Sequence, residues 1–128
     1  DGLELMVASK NFLNLKTLML NDNLISPAGA EFLASANELP QLLTLNLFRN
    51  EIGDGGAQAF ANSQSFPKLE SLYLGQNSIA DQGAIALIES QNFPQLKVLD
   101  LAMNLLSEAT AMAAFKVNRK EKVQIIYR

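Results

Sequence analysis

The sequence predicts an α/β solenoid, with short parallel strands along one side and helices along the other. Three observations predict it. Asn23, Asn50, Asn77 and Asn104 recur at intervals of 27 residues. The same frame of apolar residues surrounds each of them, reading L-x-x-L-x-L-x-x-N-x-I three times and ending in Leu106 the fourth time. Between the frames, the apolar pattern changes to the spacing of an amphipathic helix.

The strand comes first in each unit. Leu18 and Leu20 alternate with Met19, Leu45 and Leu47 with Asn46, Leu72 and Leu74 with Tyr73, and Leu99 and Leu101 with Asp100. Alternation of this kind marks a short strand with one buried face. Strands of successive units then stack side by side, and their leucines form an interior that no single unit could bury. Asn23, Asn50, Asn77 and Asn104 follow where the chain turns out of the strand. A carboxamide both donates and accepts, so a structural ladder of these four amides along the solenoid is expected.

The helix follows the turn. Asp54 and Asp81 stand just ahead of Gly-Ala-containing helical stretches and are expected to cap their N-termini. Ser26 with Pro27, and Ser107 with Glu108, make the corresponding starts in the first and fourth units. Alanines 30, 57, 84 and 111 form one column, and Leu33, Phe60, Leu87 and Ala114 another. Pro40, Pro67 and Pro94, each after an apolar residue, end the helical stretch and turn the chain toward the next strand.

These markers give one domain over 1–128, with units at 15–41, 42–68, 69–95 and 96–122. Residues 1–14 read as the tail of a truncated unit, because Gly2 falls in the column of Gly29, Gly56 and Gly83. A longer protein with further repeats or another domain upstream is the expectation. Residues 123–128 read as a terminal capping strand, with Val123 and Ile126 in the first two leucine columns and Arg128 in the third.

Composition removes several chemistries. The chain has no cysteine and no histidine, which excludes disulfides, thiol catalysis, histidine-based triads and the usual structural zinc sites. Cysteine-free composition fits a reducing compartment such as the cytoplasm, including the case of a bacterial protein delivered to a host cytosol. No apolar run exceeds five residues, far short of the roughly 20 that a membrane-spanning helix needs. The net charge of −3 is unevenly divided. Residues 116–128 carry five basic groups against one acidic, and the other 115 residues carry five basic against twelve acidic. An acidic body argues against nucleic acid as a partner; the basic end reads as a solvated terminus. Gly53-Asp54-Gly55-Gly56 lacks the lysine of a phosphate loop, and the carboxylates do not alternate as a calcium loop requires.

The leucine frame, the acidic cap, the Gly-Ala pair and the amphipathic helix together resemble the ribonuclease-inhibitor type of leucine-rich repeat. That type is found in ribonuclease inhibitors, the Ran GTPase-activating protein, NLR receptors and bacterial effectors. The resemblance covers essentially the whole chain, although the 27-residue unit and the lack of cysteine set it apart from ribonuclease inhibitor itself. It implies a right-handed horseshoe with a concave parallel sheet and convex helices, and a non-enzymatic module that binds a protein partner through the concave face. Regulation of a GTPase, or service as the recognition arm of a larger enzyme or effector, are the alternatives it leaves open.

If the leucines point inward, the alternate positions face the concave surface. Met19, Phe48, Tyr73, Asp100 and, at the strand ends, Arg49, Gln76 and Met103 are the candidate partner-binding residues. Aromatic and arginine side chains dominate many interface hot spots. The competing reading is that these side chains lie across their neighbours on the sheet, since isolated exposed apolar residues are common. No catalytic residue, metal ligand or cofactor is expected, and a monomer is the expected state.

Overall fold

A computed structural model describes residues 12–37, 39–120 and 123–128. Gly2 and most of the truncated unit expected over 1–14 lie outside the described residues. The elements run β1 (Thr17–Met19), α1 (Pro27–Ala34), β2 (Thr44–Asn46), α2 (Gly53–Ala61), β3 (Ser71–Tyr73), α3 (Asp81–Glu89), β4 (Val98–Asp100), α4 (Glu108–Lys120) and β5 (Gln124–Ile126). The five strands form one parallel sheet in chain order. Leu18, Leu45, Leu72 and Leu99 lie directly opposite one another across it.

The core lies between sheet and helices. Leu45, Leu47, Leu72 and Leu74 are wholly buried, as are Phe60 and Leu33 from the helices and Phe66 from a return loop. Phe66 meets Phe60 in a tilted ring pair with centroids 6.1 Å apart. Leu39, Phe66 and Phe93, each just before its proline, anchor the return loops in this core.

Among the hydrogen bonds that join successive units besides the sheet, three sets recur along the chain. The first is made by the asparagines. Asn50 Nδ2 donates to the Leu20 and Leu47 carbonyls at 3.0 and 2.9 Å, while its Oδ1 accepts from the Asn23 and Ile25 amides at 2.9 Å each. Asn77, fully buried, donates to Leu47, Leu74 and Gly75 and accepts from Ile52. Asn104 repeats the pattern one unit on, accepting from Asn77 and Ile79. Asn23 is exposed, and among the described residues its Nδ2 reaches only the Asn21 carbonyl two residues back, at 3.0 Å.

The second set corrects the expected helix caps. Asp54 does not cap its own helix: it lies inside the first turn of α2, whose N-cap Ile52 makes no side-chain cap bond. Its Oδ1 instead accepts from the Ala80 and Gly83 amides, both at 2.9 Å, at the start of α3. Asp81 likewise accepts from the Ser107 amide and from the Ser107 and Thr110 hydroxyls at the start of α4. The physical reason is stacking. Residues 27 apart in sequence are neighbours in space, so each aspartate sits beside the next helix's unpaired amides. Ser26 caps its own helix through the Gly29 amide at 3.2 Å. Pro27 occupies the aspartate column of that unit and has no carboxylate to offer α2.

The third set lies at the opposite helix ends. The Ser63 hydroxyl donates to the Ala34 carbonyl, and the Ser90 hydroxyl to the Ala61 carbonyl at 2.6 Å. Each satisfies a carbonyl left open at the end of the preceding helix.

The last strand also departs from expectation. Leu99 pairs with Ile125 and Asp100 with Ile126, so the final repeat is 26 residues long. Ile125 is the buried residue, not Ile126, and the 26-residue offset takes Arg128 out of the leucine column. Two adjacent isoleucines satisfy the apolar pattern equally well in either phase; sheet pairing chooses between them.

Candidate functional site

The outward faces of β1 to β5 form the concave surface, arranged in columns. Thr17, Thr44, Ser71, Val98 and Gln124 make one, and Met19, Asn46, Tyr73, Asp100 and Ile126 the next. Asn21, Phe48, Gly75 and Ala102 continue outward beyond the strands, followed by Asp22, Arg49, Gln76 and Met103.

The last of these columns has a common backbone state. Asp22, Arg49, Gln76 and Met103 have φ of 61°, 57°, 52° and 61°, the left-handed region that residues other than glycine seldom adopt. All four are exposed, so burial of their side chains offers no compensation. The unit geometry imposes the sharp turn. The residue identities at this column therefore serve the surface rather than the interior.

The candidate residues fall into two groups. Met19 and Met103 project freely, 57% and 62% exposed, and Gln76 is exposed with no side-chain partner among the described residues. Tyr73 is half-buried, with Asn46 and Asp100 opposite it on the adjoining strands. The others have local commitments. Phe48 leans across Gly75, where an added Cβ would lie 2.9 Å from Phe48 Cδ2. Arg49 Nε pairs with Asp22 Oδ1 at 3.2 Å, one unit back in the same column. Such an exposed pair contributes little to stability. Asp100 Oδ1 accepts from the Ala102 amide two residues on, at 2.9 Å, as Asn46 Oδ1 does from Phe48. Its second oxygen has no partner among the described residues.

Among the described residues, no group of three or more acidic side chains is placed to hold a metal ion. The Ser107 and Thr110 hydroxyls and the Ser107 amide hold the Asp81 carboxyl at a pKa of about 2, below its ordinary 3.8. No helix among the described residues is long and apolar enough to cross a membrane.

A family model described as Leucine Rich repeat matches residues 39–61 and 67–87. The fold is a leucine-rich-repeat solenoid. Among solved structures, the chain is similar to one described as Leiomodin-1 Actin-Binding Site 2, with a TM-score of 0.74 and 18% identity. That similarity covers 100% of this chain and 78% of the other. No curated protein matched the chain. Strand, helix and return loop thus repeat as in leucine-rich-repeat folds.

Sequence reasoning found the concave columns but missed one feature of the site, the Phe48 ring lying over Gly75; the signal was a glycine in a column that otherwise carries side chains.

Proposed function

We propose that this solenoid binds a protein partner through its concave face, and that the repeats are of the ribonuclease-inhibitor-like kind. The observation that carries the reading is the division of each strand into two roles. In β1 Leu18 is buried while Met19 beside it is 57% exposed, and in β3 Leu72 is wholly buried while Tyr73 beside it is half-buried. The asparagine ladder, buried at Asn50 and Asn77, fixes the backbone just beyond the strands, so the outward side chains are presented with little ordering left to do. Preorganisation of this kind lowers the entropic cost of association.

Supporting this, the leiomodin structure that shares the fold is described as an actin-binding site. The similarity lends support to protein recognition in general. It does not extend to actin as the partner here. The acidic body of the chain favours proteins over nucleic acids.

The test is affinity capture with the wild-type chain and with a Met19→Ala, Tyr73→Ala, Met103→Ala variant. Thermal unfolding is measured on both. The variant is expected to melt within a few degrees of wild type and to lose its strongest captured partner. Undiminished capture of that partner by the folded variant counts against the concave face.

A further inference from the structure

The helix side of the last unit differs from that of the units before it. Ala30, Ala57 and Ala84 are fully buried. A Cβ on Gly56 would stand 2.9 Å from the Ala30 methyl, and one on Gly83 2.9 Å from the Ala57 methyl, so this column faces the following helix. Ala34, Ala61 and Ile88, four residues further along each helix, are buried as well. In α4 the same two columns hold Ala111, which is half-buried, and Phe115, which is 62% exposed. Met112, beside Ala111, is 55% exposed.

The charges of α4 are ordered along that flank. Glu108 stands in the column of Asp54 and Asp81, whose carboxylates reach the start of the next helix. Lys116, Arg119 and Lys120 lie in the last turns of α4. Neither Glu108 nor Lys116 has an ion pair with a described residue. By the helix period, positions 108, 112, 115 and 119 form one stripe, acidic at its start, apolar in the middle and basic at its end. Such a stripe matches itself when reversed. In an antiparallel pair, Met112 of each copy meets Phe115 of the other, and each Glu108 meets the other copy's basic helix end. The two helix dipoles then also run in opposite directions, each negative end beside a positive one.

We propose that the flank of α4 seats a second copy of this chain, in a twofold antiparallel pair of α4 helices. A twofold interface uses the same patch on both copies and must therefore be self-complementary, as the order of acid, apolar pair and base is here. The contact is small, so the association is weak and concentration-dependent. The inference is independent of the concave-face reading. The core separates α4 from the sheet, which leaves both concave faces open, and two such faces in one assembly favour a partner that presents its binding segment twice.

The test is sedimentation velocity of the 128-residue chain at rising concentration, up to about 1 mM, the weak end of measurable association. Four variants accompany it: Met112→Ser with Phe115→Ser, Glu108→Lys, Lys116→Glu with Arg119→Glu, and Tyr73→Ala on the concave face. Circular dichroism melting establishes that each is folded. Should the serine variant fail to fold, the two charge variants carry the test, because they alter only charge.

The expected result is a monomer–dimer equilibrium for the wild type and for Tyr73→Ala. Serine at 112 and 115 abolishes the dimer. Each charge variant alone weakens it about tenfold or more, because like charges then meet at both ends. An equimolar mixture of the two charge variants restores it, since opposite charges meet again in the mixed pair. A wild type that stays monomeric at every concentration overturns the proposal. A dimer that survives the serine or charge substitutions, is lost with Tyr73→Ala, or is not restored on mixing overturns the α4 pairing equally.

Discussion

Asp54 caps a helix to which it does not belong: its Oδ1 accepts the Gly83 amide at 2.9 Å, across the boundary between two repeats. The approach is so close that a Cβ on Gly83 would stand 2.5 Å from the same oxygen and 2.9 Å from the Ala57 methyl. At this boundary one contact accounts for both the aspartate and the glycine, whereas at Gly56, where Pro27 stands in the aspartate's place, an added Cβ would meet Ile52 and Ala30 instead. Thr110 stands in the glycine column one unit later and keeps the link by donating its hydroxyl to Asp81.

Asp54→Ala is expected to destabilise the chain by about 1 kcal/mol, the usual cost of a lost cap. Gly83→Ala is expected to cost about as much or more, because the displaced partner is a capping carboxylate backed by packed alanine. Since both changes strike one contact, their combination should cost less than the sum. Urea denaturation of the four proteins measures this. Strict additivity would show that the two columns are independent.

Acid should loosen the boundary between α3 and α4. Hydrogen bonds from the Ser107 hydroxyl, the Thr110 hydroxyl and the Ser107 amide hold the Asp81 pKa at about 2, below its ordinary 3.8. A carboxylate with a depressed folded-state pKa stabilises the fold above its unfolded value, and that contribution is lost as pH falls through the folded one. The denaturation midpoint should therefore decline between about pH 4 and pH 2, and Asp81→Asn should flatten that part of the profile. Identical profiles for wild type and variant would contradict the assignment.

The asparagine columns should differ sharply along the chain. Asn77→Ala removes three donated bonds and one accepted bond from a fully buried position. Orphaning those backbone groups is expected to cost roughly 3 kcal/mol or more. Asn23→Ala, at an exposed site with only a local donated bond, is expected to cost no more than about 0.5 kcal/mol. Equilibrium unfolding of the two variants provides the comparison, and equal losses would refute a graded ladder.

Much of this architecture was legible in the sequence because it repeats. Leu18, Leu45, Leu72 and Leu99 are aligned by the same count that aligns their codons, and the sheet register follows that count. The aspartates were misassigned for the opposite reason. Local order suggests that Asp54 serves the helix immediately following it, whereas stacking sets it beside Gly83. The Ser63–Ala34 and Ser90–Ala61 bonds went unseen for the same reason, since a serine after a helix carries no sign of an acceptor 29 residues earlier. In the last strand the count itself changed by one, and Ile125 and Ile126 gave no apolar contrast to show it. On the concave face, sequence identified the outward columns. It did not show that Phe48 covers Gly75 or that Arg49 is held by Asp22, because side-chain direction along the solenoid is not encoded in alternation.

The separation of stability from recognition within one strand is tested most directly at Leu72 and Tyr73, adjacent residues of β3. Chemical denaturation of Leu72→Ala and Tyr73→Ala should give a loss of about 2–5 kcal/mol for the first and under about 1 kcal/mol for the second. A Tyr73 loss as large as that of Leu72, or a Leu72 variant as stable as wild type, would contradict the inward and outward assignment of the whole sheet.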